Sequence, residues 1–272
     1  MSKVLFIPHG GGPLPLLNDP GYAGLSAALR SMAPAIADSK AIVLVTAHWE
    51  TETPSLTSSP NPGMIYDYFG FPPQAYQIVY SAPGAPELAQ AVSAALTRDG
   101  FKPVQESDRG YDHGVYVPMI LMRPEADIPI LQMSVLSSLD PTEHIFLGQS
   151  LASVLDDDIT VIGSGFSFHN LGALTGRAAI DLPLAQAQAK QFHDWLDEVT
   201  CGTGLNDEER KAALVAWADA PGARFCQPRE EHLMPLHVCF GAANARGMKA
   251  TQIFGEPVKG FQASGYLWQD EG

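Results

Sequence analysis

The residues best suited to chemistry in this chain are its histidines, and their placement is informative. His9 closes the apolar run 4–8 and precedes Gly10-Gly11-Gly12-Pro13. His48 follows the apolar run 41–47 and precedes Trp49-Glu50. His169 stands seven residues past Ile162, beyond the turn Gly163-Ser164-Gly165. His232 lies in Glu230-Glu231-His232-Leu233-Met234-Pro235, at a predicted helix start. Imidazole changes charge near neutral pH and is the commonest metal ligand. One histidine after a strand is usually a hydrogen-bonded loop residue. Four at one edge of a sheet point instead to a metal or acid–base site.

The ligand types do not choose one metal. Two histidines with a carboxylate form the facial arrangement of non-haem Fe(II) oxygenases. Three histidines with a water form a catalytic zinc pattern. Glu231-His232 supplies either third ligand beside His9 and His48. His113, in Tyr111-Asp112-His113-Gly114, is a candidate proton-transfer or supporting group, or else part of a polar turn in which Asp112 caps a helix. His144 and His193 fall inside predicted helices and read as surface or core-edge residues, and His237 as a core or supporting residue. The run His9-Gly10-Gly11-Gly12 also matches the oxyanion segment of esterases. Such an enzyme needs a G-x-S-x-G elbow, and Gly165-Phe166-Ser167-Phe168-His169 lacks its last glycine.

The elements that must position these residues alternate. Continuous apolar runs rich in Ile and Val at 4–7, 41–47, 77–80, 128–135 and 159–162 read as strands covered on both faces. Helices are predicted at 22–32, 87–98, 141–154, 184–199, 207–217 and 232–245. Asp140-Pro141-Thr142-Glu143 reads as an N-cap, a first-turn proline and an acid at the third helical position, and Asn206 as a second cap. The pattern predicts an α/β fold with a central, mostly parallel sheet flanked by helices on both faces. With no repeat, linker or shift in composition, residues 1–272 read as a single domain, and 54–73 as a long, ordered functional loop. In such sheets ligands bind outside the carboxyl ends of the strands, where the four histidines fall.

Composition narrows the partners. A net charge of −14, from 16 Lys+Arg against 30 Asp+Glu, argues against binding nucleic acid or an anionic membrane. No stretch has the roughly 20 apolar residues a membrane helix needs. Three cysteines without a C-x-x-C pair fit a reducing compartment, so a cytoplasmic location is expected.

Seven segments, in order along nearly the whole chain, resemble the class III extradiol aromatic-ring-opening dioxygenases, especially those of the 4,5-DOPA type. They are Pro8-His9-Gly10-Gly11-Gly12-Pro13, Thr46-Ala47-His48-Trp49, Tyr66-Asp67-Tyr68-Phe69-Gly70-Phe71-Pro72, Tyr80-Ser81-Ala82-Pro83-Gly84, Tyr111-Asp112-His113-Gly114, Gly163-Ser164-Gly165 with His169-Asn170-Leu171, and Glu231-His232-Leu233 with Pro235-Leu236. The resemblance implies Fe(II) for activity, with Zn(II) bound in the protein as purified. It implies that His9 and His48 bind the metal, with Glu231 or His232 as third ligand. His169 then matches the catalytic base, which touches the metal in zinc-occupied relatives, and His113 a second active-site histidine. The implied partners are a small aromatic diol and O2, in a monomer or small homo-oligomer. Two departures beside the site bear on substrate: Gly10-Gly11-Gly12-Pro13 replaces the usual Gly-Ser-Pro, and Phe166-Ser167-Phe168 precedes the His-Asn-Leu motif. The competing readings are a zinc hydrolase on the same ligands and a non-enzymatic metal-binding interaction protein.

Overall fold

The computed structural model describes residues 2–155 and 158–270. Eight strands form one sheet: β1 Lys3–Pro8, β2 Ala41–Thr51, β3 Ser55–Thr57, β4 Val104–Glu106, β5 Ile130–Leu136, β6 Ile159–Gly165, β7 Lys249–Val258 and β8 Phe261–Gln269. Their order is β4-β3-β5-β2-β6-β1-β8-β7. The middle four, β5, β2, β6 and β1, run parallel to one another. Residues of β1, β5 and β6, and 42–47 of β2, are almost entirely buried, as expected of strands covered on both faces.

Among the described residues ten α-helices accompany the sheet: α1 Ala23–Ser31, α2 Ala33–Ile36, α3 Pro86–Arg98, α4 His113–Met122, α5 Pro141–Leu151, α6 Leu171–Leu174, α7 Leu182–Cys201, α8 Asp207–Val215, α9 Ala223–Cys226 and α10 Met234–Asn244. The α/β architecture and mostly parallel sheet are as the sequence predicts. None of these helices is long and apolar enough to cross a membrane. Both predicted caps form. Asp140 accepts from the Glu143 N–H at 3.0 Å, and Asn206 and Glu209 complete a capping box. α5 and α10 pack with almost no gap, because a Cβ on Gly148 would meet Val238 O at 2.0 Å and one on Gly241 would meet Ile145 O at 2.0 Å.

Several expectations need correction. Residues 77–80 are not a strand: a 3-10 turn spans Pro73–Gln77, and the Ile78 carbonyl accepts from the Tyr66 hydroxyl instead of a neighbouring strand. The antiparallel edge of β8 and β7, and the three-residue strands β3 and β4, escaped the sequence reading. The last helix begins at Met234, so His232 precedes it. Asp112 stands at the start of α4 without capping it; its buried carboxylate takes the Thr46 hydroxyl at 2.8 Å and Arg109 at 3.0 Å.

His144 and His193 are fully buried, not at the surface. Each faces the carbonyl one turn back, of Asp140 and Ala189, both at 2.7 Å. Each also has a second partner: the Leu136 N–H donates to His144 Nε2, and His193 Nε2 lies 3.0 Å from Ser167 Oγ. Burial pushes both pKa values down from 6.5 to about 4. The unfolded chain therefore takes up protons below about pH 6.5 that the fold refuses until about pH 4. This contribution is present above pH 6.5 and is lost as pH falls, on the order of 3 kcal/mol per histidine by pH 4. The urea midpoint of chelator-treated protein is expected to fall steadily from pH 7 to pH 5. A constant midpoint over that range would count against neutral buried imidazoles.

Candidate active site

The carboxyl ends of β1, β2 and β6 carry the site, where β6 lies between β1 and β2. His9 immediately follows β1, and its N–H donates to Gly165 O at the end of β6. His48 falls where the β2 register against β5 shifts, between Thr46 and Glu50. Such an irregularity re-aims a side chain at a strand end. His232 reaches the same place because its carbonyl accepts from the Phe166 N–H. A Cβ on Gly165 would lie 2.2 Å from that carbonyl, so glycine is required there. His169 lies beyond β6, held by its N–H to Cys226 O. His113 opens α4.

These five histidines form one cluster. His48 Nε2 lies 3.0 Å from His9 Nε2 and 3.3 Å from His232 Nε2. The His48 and His113 ring centroids are 3.8 Å apart, and His169 stacks on His232 with an interplanar angle of 15°. Two donor groups, His9–His48–His113 and His169–Glu231–His232, each have ligand atoms within 4.8 Å of one another.

The outer nitrogens decide which atoms face the centre. Ser164 Oγ donates to the Gly114 carbonyl, so at 3.1 Å from His9 Nδ1 it accepts that proton. Glu231 Oε1 lies 3.1 Å from His232 Nδ1 and can only accept when ionised. In both rings Nε2 is therefore an unprotonated lone pair directed at His48. Burial, then the neighbouring imidazoles, lower the pKa values of His9 and His232 well below 6.5. Burial does the same to His48, reinforced by His113 and opposed by Asp67. Neutral imidazoles are the form that binds metal.

Converging lone pairs without a proton between them repel, and a cation resolves this. With a metal about 2.1 Å from each nitrogen, neighbouring ligands stand about 3.0 Å apart at 90° and about 3.4 Å apart at the tetrahedral angle. The two observed separations fall within that span, so the donor set fits a divalent metal.

Two carboxylates stand behind the histidines, and the sequence reading gave one of them, Asp67, no role. Asp67 Oδ1 lies 2.8 Å from His113 Nδ1 and accepts the His113 N–H at 3.0 Å, while its Oδ2 is 3.5 Å from His48 Nδ1. Burial raises the Asp67 pKa, but the hydrogen bond and charge of His113 outweigh this and leave it below the usual value. Glu231, read from sequence as a possible ligand, touches His232 Nδ1, His169 Nδ1 at 3.4 Å and Arg229 at 3.3 Å. Arg229 also pairs with Glu50.

The segment 64–72 closes over this end of the sheet. Tyr68 stands 5.8 Å from the His113 ring, and Phe71 packs at 3.3 Å on the position a Gly12 Cβ would take. Phe168 instead stacks on Phe261 within the core, and Trp49 is buried beneath Arg109. The esterase-like Ser167 is buried too. It donates to Ser264 O and accepts from Ser264 N–H, with no approach for a substrate.

Residues 5–259 match the family described as the catalytic LigB subunit of aromatic ring-opening dioxygenase. The chain belongs to this family. It is 41% identical over 261 residues to dioxygenase tasH of Hapsidospora irregularis, covering 90% of this chain and 79% of that one. It is 43% identical over 205 residues to the 4,5-DOPA dioxygenase extradiol of Beta vulgaris, covering 75% and 73%. With the 4,5-DOPA dioxygenase extradiol of Escherichia coli K12 it shares 31% over 239 residues, covering 88% and 84%. A crystal structure of an uncharacterized Escherichia coli K12 protein superposes with a TM-score of 0.76 at 25% identity, covering 97% of this chain and 98% of that one. As a member of this family the protein is an oxidoreductase of the extradiol ring-opening class.

Proposed function

We propose that the protein opens a catechol-type ring with O2 at a single Fe(II) held by His9, His48 and His232. The observation that carries the assignment is the convergence of three Nε2 atoms, two of them fixed as lone pairs by Ser164 and Glu231. Glu231 is then the group that orients His232, not the third ligand. A bound Fe(II) would supply Lewis acidity toward the two diol oxygens and the redox capacity that O2 chemistry requires.

The chain's own residues do the rest. With its Nδ1–H directed at Glu231, His169 has Nε2 left to take a phenolic proton and later return it. His113, with its Nδ1–H on Asp67, presents Nε2 in the same way. Tyr68 stands edge-on to the His113 ring at 5.8 Å, where it would line one side of a bound aromatic substrate. Relatives named for 4,5-DOPA make a DOPA-like catechol the first substrate to try.

The three-imidazole donor set also matches catalytic zinc, so the test carries both metals. Protein loaded anaerobically with Fe(II) is exposed to O2 over DOPA, protocatechuate and caffeate, with oxygen uptake and ring-cleavage absorbance followed together. The expected result is stoichiometric uptake and a new visible band with Fe(II), and none with Zn(II). An iron-loaded protein that consumes no oxygen with any catechol would overturn the dioxygenase reading. Zn(II)-dependent ester or amide hydrolysis would replace it with the hydrolase.

A further inference from the structure

We propose that Asp67 is a positioning residue that ties the metal-binding His48 to the proton-transferring His113; this rests on the metal reading above. Asp67 lies on the segment 64–72, remote in sequence from both histidines. Its carboxylate divides its work. Oδ1 accepts from the His113 backbone N–H at 3.0 Å and from His113 Nδ1 at 2.8 Å, so that ring has one orientation and one tautomer. Oδ2 faces His48 Nδ1 at 3.5 Å. A carboxylate there favours a proton on His48 Nδ1 and leaves Nε2 free toward His9 and His232. Groups that bond the outer nitrogen of a ligating histidine fix its tautomer and raise its basicity.

The arrangement is repeated across the site. Glu231 Oε1 contacts Nδ1 of His232 and Nδ1 of His169. Each proton-transferring imidazole thus shares one carboxylate with one metal-binding imidazole. His9 differs, with a serine hydroxyl behind it and no second histidine on that hydroxyl. A shared carboxylate holds the two rings in fixed relation, so a substrate oriented by the metal meets His113 and His169 at set places.

The test replaces the carboxylate by its amide. In Asp67→Asn the side-chain oxygen can keep both His113 contacts, which turns the NH2 toward His48 Nδ1. That donor favours the tautomer with a proton on Nε2, where metal would bind. Zn(II) affinity, measured by chelator competition without catechol or O2, is expected to fall 10- to 100-fold, the range found for such partners. The fold of the metal-free variant should be retained by circular dichroism. At saturating Fe(II), kcat losses of Asp67→Asn and His113→Gln should overlap, the double variant being little worse than His113→Gln alone. Zn(II) affinity within twofold of wild type, or losses that multiply, would overturn the proposal. Should the asparagine variant fail to fold, Asp67→Ala, which removes the contacts to both histidines, carries the same two expectations, weaker Zn(II) binding and overlap with His113→Gln. A wild type that binds Zn(II) but cleaves no catechol would sink the dioxygenase reading and leave the affinity comparison intact.

Discussion

Replacing His48 by alanine is expected to remove metal binding and turnover together while leaving the metal-free fold as stable as before. His48 Nε2 is the atom common to both short nitrogen contacts, to His9 and to His232. Without it, two imidazoles remain with no shared neighbour between them. Losing a ligand should weaken binding by more than the roughly 100-fold that loss of an outer partner can cost. The metal-free protein gives up no stabilising contact at this point, because the Nε2 lone pairs of His9 and His232 face a third lone pair there. Metal bound only by the native state stabilises by about 2.7 kcal/mol at 100 times Kd. For a protein of this size that corresponds to a rise in Tm on the order of 5–10 °C. Wild type should show this rise with Zn(II), and His48→Ala should show none at equal concentration. A variant whose Tm still climbs with Zn(II) would place the metal on other donors.

The strand-end histidines were legible because each ends or shortly follows an apolar run. Once such a run is buried in a parallel strand, its next polar residue emerges at the carboxyl edge. His9, His48 and His169 were found this way, and His232 from a helix start. The groups behind them were not legible. Asp67 is 46 residues from His113, and Ser164 is 155 from His9. Nothing in local spacing marks a carboxylate or a hydroxyl as the partner of a distant ring. That His232 and not Glu231 turns toward His48 was invisible for the same reason, since adjacent residues differ only in which way they point. The hairpin of β7 and β8 was missed because β7 is exposed along most of its length and carries Gly255 and Pro257, so its pattern is that of a polar edge. His144 and His193 escaped because a helical histidine bonded to the carbonyl one turn back looks, in sequence, like any other surface residue.

The second large effect separates holding the metal from moving protons. His169 belongs to a donor group with Glu231 and His232 whose ligand atoms, like those of His9, His48 and His113, lie within 4.8 Å of one another. Geometry favours a proton role. His169 Nδ1 and His232 Nδ1 both point at the same Glu231 oxygen, so that oxygen is already shared and His169 Nε2 is turned away from it. A metal placed on that oxygen would displace the proton that keeps His232 Nε2 a lone pair toward His48. His169→Ala is therefore expected to keep Zn(II) or Fe(II) within a few-fold of wild-type affinity and to lose about 10²- to 10⁴-fold in kcat, the usual contribution of a positioned acid–base group. His113→Ala should do the same, its ring being anchored to Asp67 rather than to the centre. Metal analysis after gel filtration, alongside single-turnover oxygen uptake, reads both quantities on one sample. Loss of metal from His169→Ala would move the ion to the His169–Glu231–His232 group, and loss from His113→Ala would make His113 a ligand. Retention in both with turnover lost leaves His9, His48 and His232 as the donors, with two imidazoles beside them free to carry protons.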